Sequence, residues 1–288
     1  MTDPFLITGP AIISFSGGRT SGYMLWRIIQ AHGGTLPQDV HVVFANTGKE
    51  FEKTLTFVNN CAKHWGCIIA WVEWRRAKPY FEIVTHTSAS RKGEPFADLI
   101  TAKQHVPNPL KRFCTQDLKM KPIERFMRAH KYKAWKNVVG LRYDEGHRVM
   151  KALARNDEQK YRWETVMPLS KAKVTKADVM AFWRAQPFDL ELMGYESNCD
   201  LCFLKRPSFQ TPLIRDNPGI EDWWSAQEEK TGRTFVSGRP IKQFAQNVRD
   251  QIELPFSHVD DEEYDVECGL SCAGDDADPI HAAAGGGK

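Results

Sequence analysis

Five short apolar runs punctuate the first 170 residues, at 11–15 (AIISF), 40–45 (VHVVFA), 67–74 (CIIAWVEW), 137–141 (NVVGL) and 165–169 (TVMPL). Each is rich in β-branched or aromatic residues and ends in polar or glycine-containing sequence, the mark of a strand. Between the first three lie 21–31 and 51–64, where apolar residues recur at helical spacing, and 118–130 does the same before the fourth. Strands that alternate with helices predict an α/β fold: a Rossmann-like, parallel five-stranded sheet with helices on both faces. Such sheets bind ligands beyond the carboxyl ends of their strands, which is where the first run breaks into Ser16-Gly17-Gly18.

Past residue 169 the strand pattern fades. Thr175 stands three residues before Asp178, a near-match to a capping box, and Val179, Phe182 and Trp183 share one face of the helix it opens. The stretches GIEDWWSAQEEKTG and PIKQFAQNVRDQI predict further helices. The expected organisation is therefore a nucleotide-binding α/β domain over 1–170, a helical C-terminal region over 171–258 carrying a C-x-x-C pair, and an acidic, mobile tail over 259–288 carrying C-x-x-x-C.

Charge sharpens this picture. The net charge of +3 conceals ten acidic residues and a single base within 251–288, leaving 38 Lys and Arg against 26 Asp and Glu in the rest. A basic body implies an anionic partner, a phosphorylated metabolite or a nucleic acid, and the tail is expected to be drawn to it. No run reaches the roughly 18 uninterrupted apolar residues of a membrane span. The first residues lack the pattern of a secretory signal, so the expected compartment is the cytoplasm. There, seven cysteines spread over 288 residues are packing groups, metal ligands or nucleophiles rather than a disulfide framework.

The glycine turn carries the first candidate chemistry. Backbone N–H groups at a helix start are donors at the positive end of the dipole, and glycines let an anion approach them. Ser16, Gly17, Gly18, Arg19, Thr20 and Ser21 add three hydroxyls and a guanidinium to that geometry, which suits phosphate. A Walker loop, a G-x-G-x-x-G fingerprint after this strand and a nucleophile elbow are all excluded, the last because Ser14 stands at its first glycine.

The cysteines carry the second. Cys199 and Cys202 have a spacing that lets two thiolates reach one metal, and alone that spacing fits zinc, iron–sulfur or a redox dithiol. Cys114 is an available third ligand. Cys61 and Cys67 fall in a predicted helix and strand and are expected to be packing residues.

SFSGGRTS resembles the pyrophosphate loop, S-G-G-x-D-S, of the adenine nucleotide alpha hydrolase superfamily, which includes the phosphoadenylyl-sulfate and adenylyl-sulfate reductases. Thr20 stands where Asp is usual, which speaks against ATP pyrophosphatase chemistry. FANTGKEFEKTLTFV is similar to the reductases' D-T-G-x-x-F-x-E-T stretch and puts Asn46, Thr47 and Gly48 on the adenosine side. VGLRYDEGHRV resembles their G-x-R-x-D-x-x-x-R segment and puts Arg142 and Arg148 at the phosphate or sulfate, while MPLSKAKVTKADVMAFW resembles the helix that follows.

The resemblance also implies roles for the thiols. In the adenylyl-sulfate reductases a tandem cysteine pair and a distant C-x-x-C hold a [4Fe–4S] cluster; Cys114, Cys199 and Cys202 match three of the four positions, and Phe113 replaces the other. Cys268 or Cys272 is a candidate fourth ligand, and zinc is the alternative metal. VECGLSC resembles the reductases' C-terminal Glu-Cys-Gly-Leu-His, which maps Cys268 as the nucleophile that attacks sulfur, with Ser271 in place of His. The implied activity is that of a sulfonucleotide reductase, with Arg142 and Arg148 neutralising the transferring group and Cys272 or a thioredoxin-like dithiol resolving the adduct. The alternatives are an ATP-dependent sulfurtransferase acting on nucleic acid, favoured by the basic body and the lysine-rich 119–136 stretch, and a non-catalytic nucleotide-binding protein.

Overall fold

The computed structural model describes residues 3–158 and 161–250. A six-stranded sheet runs through it in the order β4-β3-β2-β1-β5-β6. Its strands are β1 (Ala11–Ser14), β2 (Val40–Asn46), β3 (Ile69–Trp74), β4 (Phe81–Val84), β5 (Trp135–Val138) and β6 (Trp163–Val166). All five expected strands are present and run parallel, the last two lying earlier in the chain than expected, so that Pro168 and Leu169 open a short helix instead. The sixth, β4, is an addition: it turns back antiparallel on β3 and forms that edge of the sheet.

Alternation along the central strands divides the core. Ala11, Ile13, Val40, Val42, Phe44, Ile69 and Trp71 face one way, into a cluster completed by α1 (Arg19–Ala31) and α2 (Glu52–Trp65). Ile12, Val43, Ala45 and Val72 face the other. Burial on both faces is why these strands are continuous apolar runs rather than alternating ones. α3 (Glu94–Lys103) follows β4; then come the short α4 (Phe113–Thr115), a π-helical turn (Gln116–Met120) and α5 (Lys121–Ala129). Ile123, Phe126 and Met127 of α5 cover the second face.

After β5, α6 (Gly146–Asp157) buries only Ala152. Asn156 near its end closes the sheet's other edge: its amide donates to the Thr165 carbonyl at 2.9 Å and accepts the Thr165 N–H at 2.8 Å. α7 (Pro168–Lys171) and α8 (Lys176–Arg184) come next. The expected cap on α8 is in place, with the Thr175 N–H donating to the Asp178 carboxylate at 2.8 Å. Val179 and Trp183 of α8 enter the same cluster as α1 and α2. α9 (Pro207–Asp216), α10 (Asp222–Thr231) and α11 (Ile241–Asp250) enclose a separate cluster with Trp74, the apolar face of α3, and Leu201 and Phe203. No helix among the described residues is long and apolar enough to cross a membrane.

Candidate functional site

The chain leaves β1 toward β2 and β3 on one side and returns later to β5 and β6 on the other. The crevice at this reversal opens between the carboxyl ends of β1 and β5. The Ser16–Ser21 loop sits there. Gly17 has φ +82°, and a Cβ on it would lie 2.8 Å from the Thr54 methyl and 3.1 Å from the Phe44 ring. Its first service is thus to let the turn lie flat on β2 and α2. Gly18 is the N-cap of α1, whose first turn holds no acidic residue to compete for its N–H groups. Ser16 and Ser21 join hydroxyls at 2.8 Å, and Ser21 donates to the Gly18 carbonyl at 3.0 Å.

The segment after β5 closes onto this loop. Gly140 lies so near α1 that an added Cβ would meet Ser21 Cα at 3.2 Å. Two residues on, the buried Arg142 donates from Nη1 to Thr20 Oγ1 at 3.0 Å and from Nε to Asp144 at 2.9 Å. Burial raises the Asp144 carboxyl, but the Lys176 N–H and the Arg142 guanidinium outweigh it and hold its pKa below the usual value. Glu145 accepts the Arg142 backbone N–H at 2.9 Å and pairs with Arg148. Thr20 therefore does structural work that an Asp would do differently: a neutral hydroxyl accepts from an arginine already balanced by carboxylates. Arg19 forms a two-pronged pair with Asp189 at 2.8 and 2.9 Å.

The loop after β2 is held from within. Asn46 donates to the buried Glu73 at 2.5 Å and to the Ser90 carbonyl at 2.9 Å, and accepts the Gly48 N–H at 3.2 Å. Thr47 gives both its N–H and its hydroxyl to Glu50 at 2.9 Å. Lys119, carried by the π-helical turn, comes within 3.8 Å of Glu50. With Ser14, Phe15, Ser16, Val43, Ala45 and Ile123 it lines a pocket beside the carboxyl ends of β1 and β2. A π turn widens the helix by one residue and re-aims its side chains, and such turns gather at functional sites.

The thiols are distributed as follows. Cys61 is buried in α2, its pKa pushed up by desolvation, and Cys67 is pushed up to about 11 by the same cause; both are packing groups. Cys114 and Cys199 pack against one apolar cluster, and Cys202 is buried beside Leu201 and Phe203. Cys199 faces Glu50 in a short antiparallel bridge, so the C-x-x-C turn lies against the loop after β2. Among the described residues no three Cys, His, Asp or Glu side chains are placed to hold one ion. Cys268 and Cys272, with the rest of the expected tail, lie outside the described residues.

Asn198 and Asp200 join the site by geometry, beside the C-x-x-C pair but with no role read for them from the sequence; Lys49 and Glu50 follow Asn46-Thr47-Gly48 in its motif, and Lys119 opens the lysine-rich stretch.

Taken together, the strand order, the glycine turn at the reversal and the arginine laid across it define a mostly parallel α/β protein with a glycine loop at its switch point. A family model describes the match further: the phosphoadenosine phosphosulfate reductase domain fits residues 10–191, and the chain belongs to that family. Among curated proteins it is similar to the uncharacterized nin region protein ORF290 of Escherichia phage lambda, 29% identical over 222 residues, 73% of this chain and 71% of that protein. It is also similar to the uncharacterized protein MJ0066 of Methanocaldococcus jannaschii, 28% identical over 150 residues, half of this chain and 25% of that one. Among solved structures there is a distant likeness to the U34-tRNA thiolase NcsA from Methanococcus maripaludis with its [4Fe–4S] cluster. It has a TM-score of 0.41 and 12% identity, covering 91% of this chain and 79% of that one, too slight to bear on function.

Proposed function

We propose that this chain is a sulfonucleotide reductase-like enzyme that takes sulfur from an adenine nucleotide with a cysteine nucleophile. The observation that carries the reading is the contact between Arg142 and Thr20, which ties the G-L-R segment after β5 to the glycine turn after β1. An oxyanion resting on the first turn of α1 would then lie beside a guanidinium held in place before it arrives. In this reading Asn46, Thr47 and Gly48 serve the nucleoside, and Lys119, which lines the pocket, adds a cation there.

The reaction balances with thiols alone. The Cys268 thiolate attacks the sulfur of adenylyl sulfate; an S–S bond forms, the S–O bond breaks, and AMP leaves with the electron pair. Cys272, or one thiol of an external dithiol such as thioredoxin, then attacks the Cys268 sulfur. Sulfite departs and a disulfide remains, so the dithiol is oxidised by two electrons. Arginines and lysines at the mouth favour the thiolate form and attract the acidic segment that carries it. A [4Fe–4S] cluster, or zinc in its place, is a further part of the proposal. Cys114, Cys199 and Cys202 supply the soft donors such a group needs, and loading would draw them together.

The test is sulfite release from adenylyl sulfate by the full chain with a dithiol present. Cys268→Ser should abolish release and leave nucleotide affinity, measured by calorimetry, within about twofold of the original. A fully active Cys268→Ser variant removes the proposed nucleophile. A second reading, an ATP-dependent sulfurtransferase on nucleic acid, is favoured by the exposed bases Lys121, Arg128, Lys131 and Lys133. It predicts pyrophosphate release from ATP with RNA or DNA present, and no sulfite.

A further inference from the structure

Two loops at the carboxyl edge of the sheet, 16–21 and 47–50, are crossed by a third segment, 198–200, from the distant C-x-x-C turn. Its contacts alternate between the two. Asn198 donates from Nδ2 to the Ser16 carbonyl at 2.8 Å, and its own carbonyl accepts the Phe51 N–H at 3.0 Å. The Asp200 N–H donates to the Lys49 carbonyl at 2.8 Å, which sets Cys199 opposite Glu50. A pairing this short is marginal by itself, because few ladder bonds oppose the entropy of ordering two loops.

Side chains reinforce it. Lys49 Nζ lies 2.6 Å from Asp200 Oδ2, with side chains only 10% and 15% exposed. The other carboxylate oxygen accepts the Trp224 indole N–H at 2.9 Å and the Leu201 N–H at 2.7 Å. The Lys49 ammonium also rests 5.0 Å from the centre of the Trp223 ring. A buried ion pair gives little net stability over an apolar pair of the same shape, but it penalises every arrangement in which its partners separate. Here the partners belong to different loops, so the penalty falls on any displacement of the C-x-x-C turn from the loop after β2.

We infer that Lys49, Asp200 and Asn198 are positioning residues: a latch that fixes the Cys199–Cys202 turn in register with the glycine turn and the loop after β2. The Lys49–Asp200 pair sets the register, and Asn198 passes it to the backbone of Ser16. The thiol-bearing turn and the nucleotide turn therefore move as one body, although the Asn198–Ser16 contact joins residues 182 positions apart in the chain.

Hydrogen exchange of the full-length protein, without nucleotide, tests this. The reporters are the Phe51 and Asp200 amides, whose bonds span the two segments, and the reference is the amides of β1 and β2. Asp200→Asn should speed exchange at Phe51 and Asp200 by roughly 100-fold while β1 and β2 stay as protected as before, because only the local opening becomes easier. Lys49→Met should do the same, and Lys49→Arg, which keeps the charge, should restore most of the protection. Unchanged reporter amides in Asp200→Asn would overturn the latch. So would a rise shared equally by β1 and β2, since the pair would then support the whole fold rather than this register. Because no substrate enters the measurement, a failure of sulfite release leaves the inference standing, and the converse also holds.

Discussion

Replacing Gly17 by alanine separates two costs that sequence inspection merges. The residue sits at φ +82°, where an L side chain costs roughly 1–2 kcal/mol. The new methyl would also stand 2.8 Å from Thr54 Cγ2, 3.1 Å from the Phe44 ring and 3.3 Å from Val58 Cγ2. All three neighbours are buried, Thr54 in the first turn of α2, so none can swing aside, and overpacking of this kind adds about 1–3 kcal/mol. Gly66, which ends α2 at φ +61° with nothing within 4 Å of where a methyl would stand, supplies the control: it carries the first cost without the second. Urea denaturation with unchanged slope should therefore place Gly17→Ala about 2–5 kcal/mol below the natural protein and at least about 1 kcal/mol below Gly66→Ala. Equal losses in the two variants would show that the turn has room to spare and that its glycines answer to backbone conformation alone.

Four further outcomes follow from the same contacts. Arg142→Lys should raise the dissociation constant for adenylyl sulfate about tenfold or more, because an ammonium cannot reach Thr20 and Asp144 together; titration calorimetry checks it. Trp183→Phe keeps an aromatic ring but removes the indole N–H that donates to the Arg19 carbonyl at 2.8 Å, and should cost about 1 kcal/mol, against about 3–5 for Trp183→Ala, by denaturation. Burial lifts the Asp117 carboxyl, yet the ammonium groups of Lys103 and Lys121 outweigh it and depress its pKa. Its contribution to stability is thus present above the unfolded value near about 4 and drains away as pH falls toward the depressed one, so the gap between natural protein and Asp117→Asn should narrow from pH 7 to pH 3. Iron and sulfide analysis of anaerobically purified protein should show a cluster that Cys202→Ser loses; metal-free natural protein would remove the cluster from the proposal.

Much of the sheet is legible in the sequence because doubly buried parallel strands leave uninterrupted apolar runs. β4 leaves none: it has four residues, and Glu82 and Ile83 in its middle are exposed. α6 is hidden because it buries little, leaving Met150 and Leu153 in solvent where an amphipathic pattern would demand polar groups. Pro212 within α9 obscures that helix in the same way. At the site, motif spacing locates the glycine turn, Arg142 and the C-x-x-C pair. It gives no hint that Asp189, 170 residues away, pairs with Arg19. Nor can it pair Lys49 with Asp200, since ion pairs between distant loops leave no periodic trace in a chain.

One amide at the rim of the sheet has a bearing on how the protein behaves in a crowded solution. By satisfying both backbone groups of Thr165, Asn156 occupies the place a neighbouring molecule's strand would take. An unguarded sheet edge invites pairing with a second copy, edge to edge; here a single side chain fills that place at Thr165, and exchanging it for leucine would open the β6 edge there to one more strand.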